Sequence, residues 1–338
     1  MTDMPPIHPT DLPALAADVD PAARPLLARA ADADPAVRRI AVFELADLGD
    51  PELVPAFLAL LGHDADAAVR REAALALAAW EQPEAIEALC AALLDADAGV
   101  REAAAQSLSE LKDPASGDTL RRWAGRPEPF VARAVLRALR ELRHADAYEP
   151  ALAALDSDDA EVRLEAVAVL GWLKDPRALP AIAVLATGDT RAEVRRAAAG
   201  ALGFSGDQRD AGPVVEALLA ALGDPAWQVR EEAATTLGKL RATAAVAALG
   251  TALEDPYWQV RLRATRALGL IGERSAGAGV AALLTHAISN LRKEAALALG
   301  ELRDPAWLEA LGAALEDGDP EVRKAVRIAI RQIEEARP

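Results

Sequence analysis

The feature that most constrains this chain is a repeat. A Val-Arg step followed by Leu or Ile eight residues after the Val recurs in ten copies, anchored at Val37, Val69, Val100, Val131, Val162, Val194, Val229, Val260, Leu291 and Val322. The anchors lie 31 or 32 residues apart, except for one gap of 35 between Val194 and Val229. The residue after the anchor is Arg in nine copies and Ala132 in the fourth. Self-similarity at this period marks a stacked array of small units rather than a set of separate globular domains.

Within a unit, apolar residues fall at the anchor and at +4, +7, +8 and often +11. At 100 degrees per residue they share one stripe of a helix, here named B. A second apolar run lies upstream, as in EAIEALCAALLD or PVVEALLAALGD, and is long enough for a helix A of about three turns. Asp-Pro pairs at Asp50-Pro51, Asp113-Pro114, Asp175-Pro176 and Asp304-Pro305 fall where helix A should start. Asp can cap a helix, and Pro suits its first position. Hydrophobic residues make up 52% of the chain but aromatics only 4%, so the core is Ala, Leu and Val, the composition of helix packed on helix. One hairpin buries too little to stand alone, so neighbours must stack. Glycines recur at +9 (Gly171, Gly203, Gly238, Gly269, Gly300), where each costs about 0.5–1 kcal/mol relative to Ala. That recurrence predicts a close approach of helices.

Five residues before the anchor stands Asp in seven copies: Asp32, Asp64, Asp95, Asp189, Asp224, Asp255 and Asp317. With the Arg after the anchor, these residues resemble the HEAT repeat family, and within it the short HEAT-like repeat named after phycobilisome lyase subunits. The resemblance covers about residues 20 to 335. It implies an all-α fold, a right-handed α-solenoid of about ten HEAT-like hairpins, with these residues paired in a structural ladder: Asp32, Arg38, Asp64, Arg70, Asp95, Arg101, Asp189, Arg195, Asp224, Arg230, Asp255, Arg261, Asp317 and Arg323. The fourth unit has Arg126 and Ala132 at the two ladder positions, which reads as one pair lost whole. Residues 1–14 read as a flexible Pro-rich tail and 15–336 as a single solenoid. The loop-forming GFSGDQRDAGP should change its curvature and divide it into blocks of about 15–206 and 207–336.

The charge balance, 37 basic against 53 acidic residues for a net of -16, disfavours broad contact with nucleic acid or anionic lipid. Cys90 alone forms no internal disulfide and sits in an apolar helix as core. No leader or apolar span is evident, so a cytoplasmic protein is expected. No catalytic constellation appears. The histidines His8, His63, His144 and His286 have no spacing that puts two on one helix face, and none precedes a Glu, as the iron-binding pairs of HEAT-repeat deoxyhypusine hydroxylases require. No metal or cofactor is expected. A bilin-lyase-like chromophore attachment chaperone and a nucleic-acid binder, as in the HEAT-like DNA glycosylases, are the rival readings; repeat resemblance alone carries neither activity across.

In HEAT solenoids the B helices line the concave side. Position +2 there is basic in six of ten units (Arg39, Arg71, Arg133, Arg196, Lys293, Lys324), while acidic residues gather in the turns. Trp227 and Trp258 stand two residues before consecutive anchors, in DPAWQVR and DPYWQVR, and stacking of the units should bring them near each other. Tyr257 adjoins them, and Trp172 and Phe204 both occupy +10. Exposed aromatics of this kind serve as recognition anchors. The expected function is a non-catalytic scaffold or assembly factor. It would grip another protein, one carrying an acidic or extended segment, through Trp172, Phe204, Trp227, Glu231, Tyr257, Trp258, Arg266 and Lys293. Packing between hairpins is the competing role for the two tryptophans.

Overall fold

A computed structural model describes residues 12, 14, 15, 19–204 and 212–336. The expected N-terminal tail and the insert expected to change the curvature lie almost wholly outside the described residues. All regular structure among the described residues is helical, as the composition requires. The chain divides into two compact units, Met1–Val169 and Leu170–Pro338.

Unit 1 holds the hairpins α1 (Ala23–Ala30) with α2 (Pro35–Ala46), α3 (Val54–His63) with α4 (Ala67–Ala76), and α5 (Pro83–Ala92) with α6 (Ala98–Ser109). It continues with α7 (Ser116–Trp123) and α8 (Pro129–Glu141), then α9 (Tyr148–Ala154) and α10 (Ala160–Leu173), within which the boundary falls. Unit 2 holds α11 (Leu179–Gly188), α12 (Ala192–Ala201), α13 (Pro213–Ala221), α14 (Trp227–Leu240), α15 (Val246–Ala252) and α16 (Trp258–Ile271). It ends with α17 (Gly277–Ala282), α18 (Ser289–Leu302), α19 (Leu308–Ala313) and α20 (Pro320–Glu335). Even-numbered helices are the B helices. In unit 1, α2, α4, α6 and α8 pack in series, and in unit 2 so do α12, α14, α16, α18 and α20. Each unit is therefore a stretch of α-solenoid.

From Val69 onward every anchor is buried, and so is Leu at +8 in the first nine repeats. Each such side chain contributes about 1.5–3 kcal/mol by leaving water. The Asp-Pro starts act as their chemistry dictates. The side chains of Asp50, Asp113, Asp175 and Asp304 accept the N–H groups of Glu52, Ala115, Arg177 and Ala306, closing the first turn leading into each A helix.

The Asp and Arg at the ladder positions join one repeat to the next rather than pairing within a repeat. Arg38 donates from Nε and Nη2 to both oxygens of Asp64 at 2.8 and 2.7 Å. The same two-pronged bond links Arg70 to Asp95, Arg195 to Asp224, Arg230 to Asp255, and Arg292 to Asp317. The third nitrogen of each Arg reaches back to its own loop, as Arg230 Nη1 does to the carbonyls of Asp224 and Pro225. The Asp in turn accepts a backbone N–H two residues ahead, such as Tyr257 N on Asp255. Burial raises the carboxyls of Asp224 and Asp255, but the guanidinium and N–H that each accepts outweigh it, and both end below the ordinary carboxylate value. Arg292 holds the Asp317 carboxyl at about 2.

Because rungs run between repeats, the fourth repeat's Arg126 and Ala132 remove two of them, not one pair. Arg101 then faces no carboxylate among the described residues; it keeps its carbonyl bonds to Asp95 and Ala96 and lies 5.8 Å from the Phe130 ring centre. At the following junction Arg140 meets Glu165 at 2.7 Å instead. At the junction after Arg261, His286 stands at the Asp position, and among the described residues Arg261 has no carboxylate partner; it bonds the carbonyl of Asp255 at 3.1 Å. His286 Nδ1 accepts the N–H of Ile288 and Ser157 Oγ that of Asp159, so each replaces the missing Asp in its loop bond but not in the rung.

Candidate partner-binding site

The aromatic residues of unit 2 are placed by the ladder. Asp224 and Asp255 fix the loops ahead of α14 and α16, so that Trp227 and Trp258 become the first residues of those helices and Tyr257 the residue that precedes α16. Trp227 stacks on Tyr257 of the next repeat, ring centres 5.5 Å apart and planes 15° from parallel. Tyr257 replaces the small Ala226 of the repeat before it, so the ring that Trp227 stacks on in the next repeat is Tyr257. The Arg230 guanidinium, held by Asp255, sits 5.7 Å from the Tyr257 ring centre. The result is a rigid apolar ledge with a fixed cation. Tyr257 is 46% and Trp258 38% exposed, while Trp227 is half-buried.

The other expected contact residues do not join this ledge. Trp172 closes α10 and Phe204 follows α12, at the C-terminal ends of B helices, whereas Trp227 and Trp258 open theirs. A 14-residue helix is about 21 Å long, so the two aromatic groups lie at opposite ends of the B layer. Trp172 is exposed and Phe204 half-buried. Glu231 is engaged by Arg263 at 3.1 Å. Arg266 is engaged by Glu301 at 2.9 Å and Glu294 at 3.6 Å, and burial pushes the Glu294 carboxyl up. Lys293 is half-buried. Both Glu231 and Arg266 are thus tied to neighbouring repeats.

Unit 1 presents a second feature, which takes in Arg71 and Arg133 of the basic +2 positions. The faces of α4, α6 and α8 leave two adjoining hollows of about 390 and 380 Å³ that share Glu102 and Gln106. Arg71 and Leu75 flank them on one side, Phe130 and Arg133 on the other. The signal was present in the absence of glycine at +9 in repeats one to four, and in Phe130 beside the broken rung.

Asp118, His144 and Asp146 place one ligand atom each within 4.8 Å of one another. Asp118 lies in α7 and His144 with Asp146 in the stretch ahead of α9, so no spacing along one helix could reveal them. Arg121 reaches Asp146 at 3.4 Å and already supplies the positive charge there, and the two carboxylates are open to water. Cys90 is buried, and burial pushes its thiol up, away from reactive thiolate.

The fold and these rungs define an α-solenoid built of helical hairpins. The sequence profile of HEAT repeats matches residues 23–109, 94–158, 148–221, 215–288 and 278–338, and the chain belongs to the HEAT-repeat family. No curated protein matches the sequence. Solved structures share the fold. An engineered protein is 23% identical over 96% of this chain and 98% of its own, with a TM-score of 0.51. YibA of Escherichia coli is 20% identical over 73% of this chain and 92% of its own, at 0.57. Kap95p, seen bound to RanGDP, is 15% identical over 95% of this chain, at 0.67; the chain spans 51% of its length. HEAT solenoids of this kind are typically protein-interaction scaffolds and usually non-catalytic.

Proposed function

We propose that this protein is a non-catalytic scaffold or assembly factor that binds another protein through the aromatic ledge of α14 and α16. The observation that carries the reading is the exposure of Tyr257, stacked on Trp227 beside the Arg230 that Asp255 holds, with the exposed Trp258 next to it in the chain. Large rings held rigid and half in water are the side chains that dominate protein interfaces, because little freedom is lost when they are covered. The binding of RanGDP by Kap95p, which shares the fold, supports a protein as the class of partner. The 31-residue spacing supports placement in the short HEAT-like subtype named after phycobilisome lyase subunits, and the net acidic charge fits a cytoplasmic setting free of nucleic acid.

The test is affinity capture from a lysate of the source organism, using the native protein and a Tyr257→Ala, Trp258→Ala variant shown by circular dichroism to keep its helicity. The proposal expects at least one protein to be retained by the native form and lost from the variant. Identical captured sets from the two forms would refute it.

A further inference from the structure

All four non-glycine residues with positive φ among the described residues are basic: Arg143 at 57°, Lys174 at 55°, Arg241 at 51° and Arg303 at 50°. Each stands at +12, just past a B helix, where Gly49 and Gly272 take the same left-handed conformation in other repeats. This is the position that glycine fills without steric cost. A cation's attraction to the helix C-terminus offsets the strain of a side chain only in part.

In unit 2, Arg241 and Arg303 join Arg274 around a cavity of about 550 Å³, with Gly269, Gly272 and Glu301 in its walls. Among the described residues none of the three arginines has a carboxylate within ion-pair distance; Arg274 donates only to the carbonyl of Arg303, at 3.3 Å. Elsewhere in this unit Arg195, Arg230, Arg263, Arg266 and Arg292 all hold carboxylates. Arg261 and Arg323 have no carboxylate among the described residues either, but they bond carbonyls in their own loops; Arg241, Arg274 and Arg303 are exposed and gathered around one hollow. Glu301, in the same wall, gives one oxygen to Arg266 at 2.9 Å and keeps the other buried without a hydrogen-bond partner.

We infer that this cavity docks an acidic peptide segment of a partner protein, its carboxylates taken by Arg241, Arg274 and Arg303. Guanidinium groups bind carboxylates in paired, charge-assisted hydrogen bonds. The last turn of α16 also ends in the cavity, and its final carbonyls have no intrahelical donor. A peptide brings carboxylates for the arginines and N–H groups for these carbonyls. Phosphate or a nucleic-acid strand brings acceptors to the arginines but no backbone N–H for the carbonyls, and a long polyanion is repelled by the net charge of -16. The inference rests on the protein-binding reading and adds a second contact, at the opposite ends of the B helices from the aromatic ledge.

The left-handed conformation supplies a test in which loss of charge does not threaten folding. In an Arg241→Gly, Arg303→Gly variant the strain is relieved, so its melting temperature should equal or exceed that of the native protein. A fluorescein-labelled hexaglutamate peptide, titrated by anisotropy at physiological salt, should bind the native protein and lose at least tenfold in affinity with this variant. Arg274→Gln, away from any strained residue, should weaken binding in the same direction. A Trp258→Ala variant should bind the peptide as the native protein does, so loss of the ledge and loss of the cavity are told apart. Absence of hexaglutamate binding, unchanged affinity in the glycine variant, or equal competition by inorganic phosphate or a single-stranded oligonucleotide would overturn the inference.

Discussion

The B helices of unit 1 and unit 2 follow one pattern of anchors and differ consistently at +9. In unit 2, +9 is Gly in every repeat from Gly171 to Gly300, and the next helix occupies the space a side chain would need. A Cβ on Gly238 would lie 2.7 Å from the Ala267 Cα, on Gly269 2.9 Å from the Ala298 Cα, and on Gly300 2.8 Å from the Ala329 Cα. In unit 1 the same position is Ala46, Ala78, Ser109 and Arg140. There the B surface opens into the hollows beside Glu102, Gln106 and Phe130. Glycine at +9 thus lets adjacent B helices approach closely at that position. The ladder is interrupted in both, after Arg101 in unit 1 and after Arg261 in unit 2, but with different surroundings. Unit 1 loses its rung after Arg101, and the guanidinium settles over Phe130 at the trough's edge. In unit 2 the Arg230–Asp255 rung is intact and supports the Tyr257 ring.

The comparison can be broken first at the ladder. Asp255→Ala leaves Arg230 buried without its carboxylate, which should cost about 3 kcal/mol or more in urea denaturation. Arg101→Ala, which breaks no rung, should cost about 1 kcal/mol. Equal losses would show that the rungs are not what distinguishes the two junctions.

At +9, Gly238→Ala should destabilise by about 1–3 kcal/mol by forcing α14 away from α16, although Ala is ordinarily the better helix former. Acid should act on both units through the same groups. The Asp95, Asp224, Asp255 and Asp317 carboxyls all lie below their ordinary values, so the unfolded chain takes up protons first. Their stabilisation is complete above the unfolded value of about 4 and is lost as pH falls from there through the folded values, near 2 for Asp317. Following helicity from pH 5 to 2 in native protein and in Asp317→Asn checks this; the variant should lose less stability over that window. The smallest effect is expected at Gly62, in α3 of unit 1, where nothing lies within 4 Å of an added Cβ. There Gly62→Ala should stabilise by about 0.5–1 kcal/mol, opposite in sign to Gly238→Ala.

The repeat, the helical hairpins and the capping Asp-Pro pairs are all legible in the sequence, because period, stripe and cap are local properties of the chain. The recurring glycines are legible too, as a cost that only close packing explains. What the sequence hides is which neighbour each group meets. Spacing puts Asp255 and Arg261 in one repeat, but only the stacked structure gives Asp255 to Arg230 and leaves Arg261 without a rung. It also gives Trp227 the ring of Tyr257, through the change of one small residue to Tyr. Arg266 and Glu231 looked available on an exposed helix face, yet they meet Glu301 and Arg263 across repeats. The Asp118, His144 and Asp146 group shows the same limit, since it joins α7 to the stretch ahead of α9.

The central claim is that Tyr257 and Trp258 are displayed for a partner rather than used to hold hairpins together. The most direct measurement is the unfolding free energy of the Trp258→Ala variant in urea, set beside that of the native protein. A displayed ring, 38% exposed, predicts a loss of about 1–2 kcal/mol, short of what a fully packed one costs. A loss of about 3–5 kcal/mol, the usual cost of removing a packed indole, would contradict the account and return Trp258 to the scaffold.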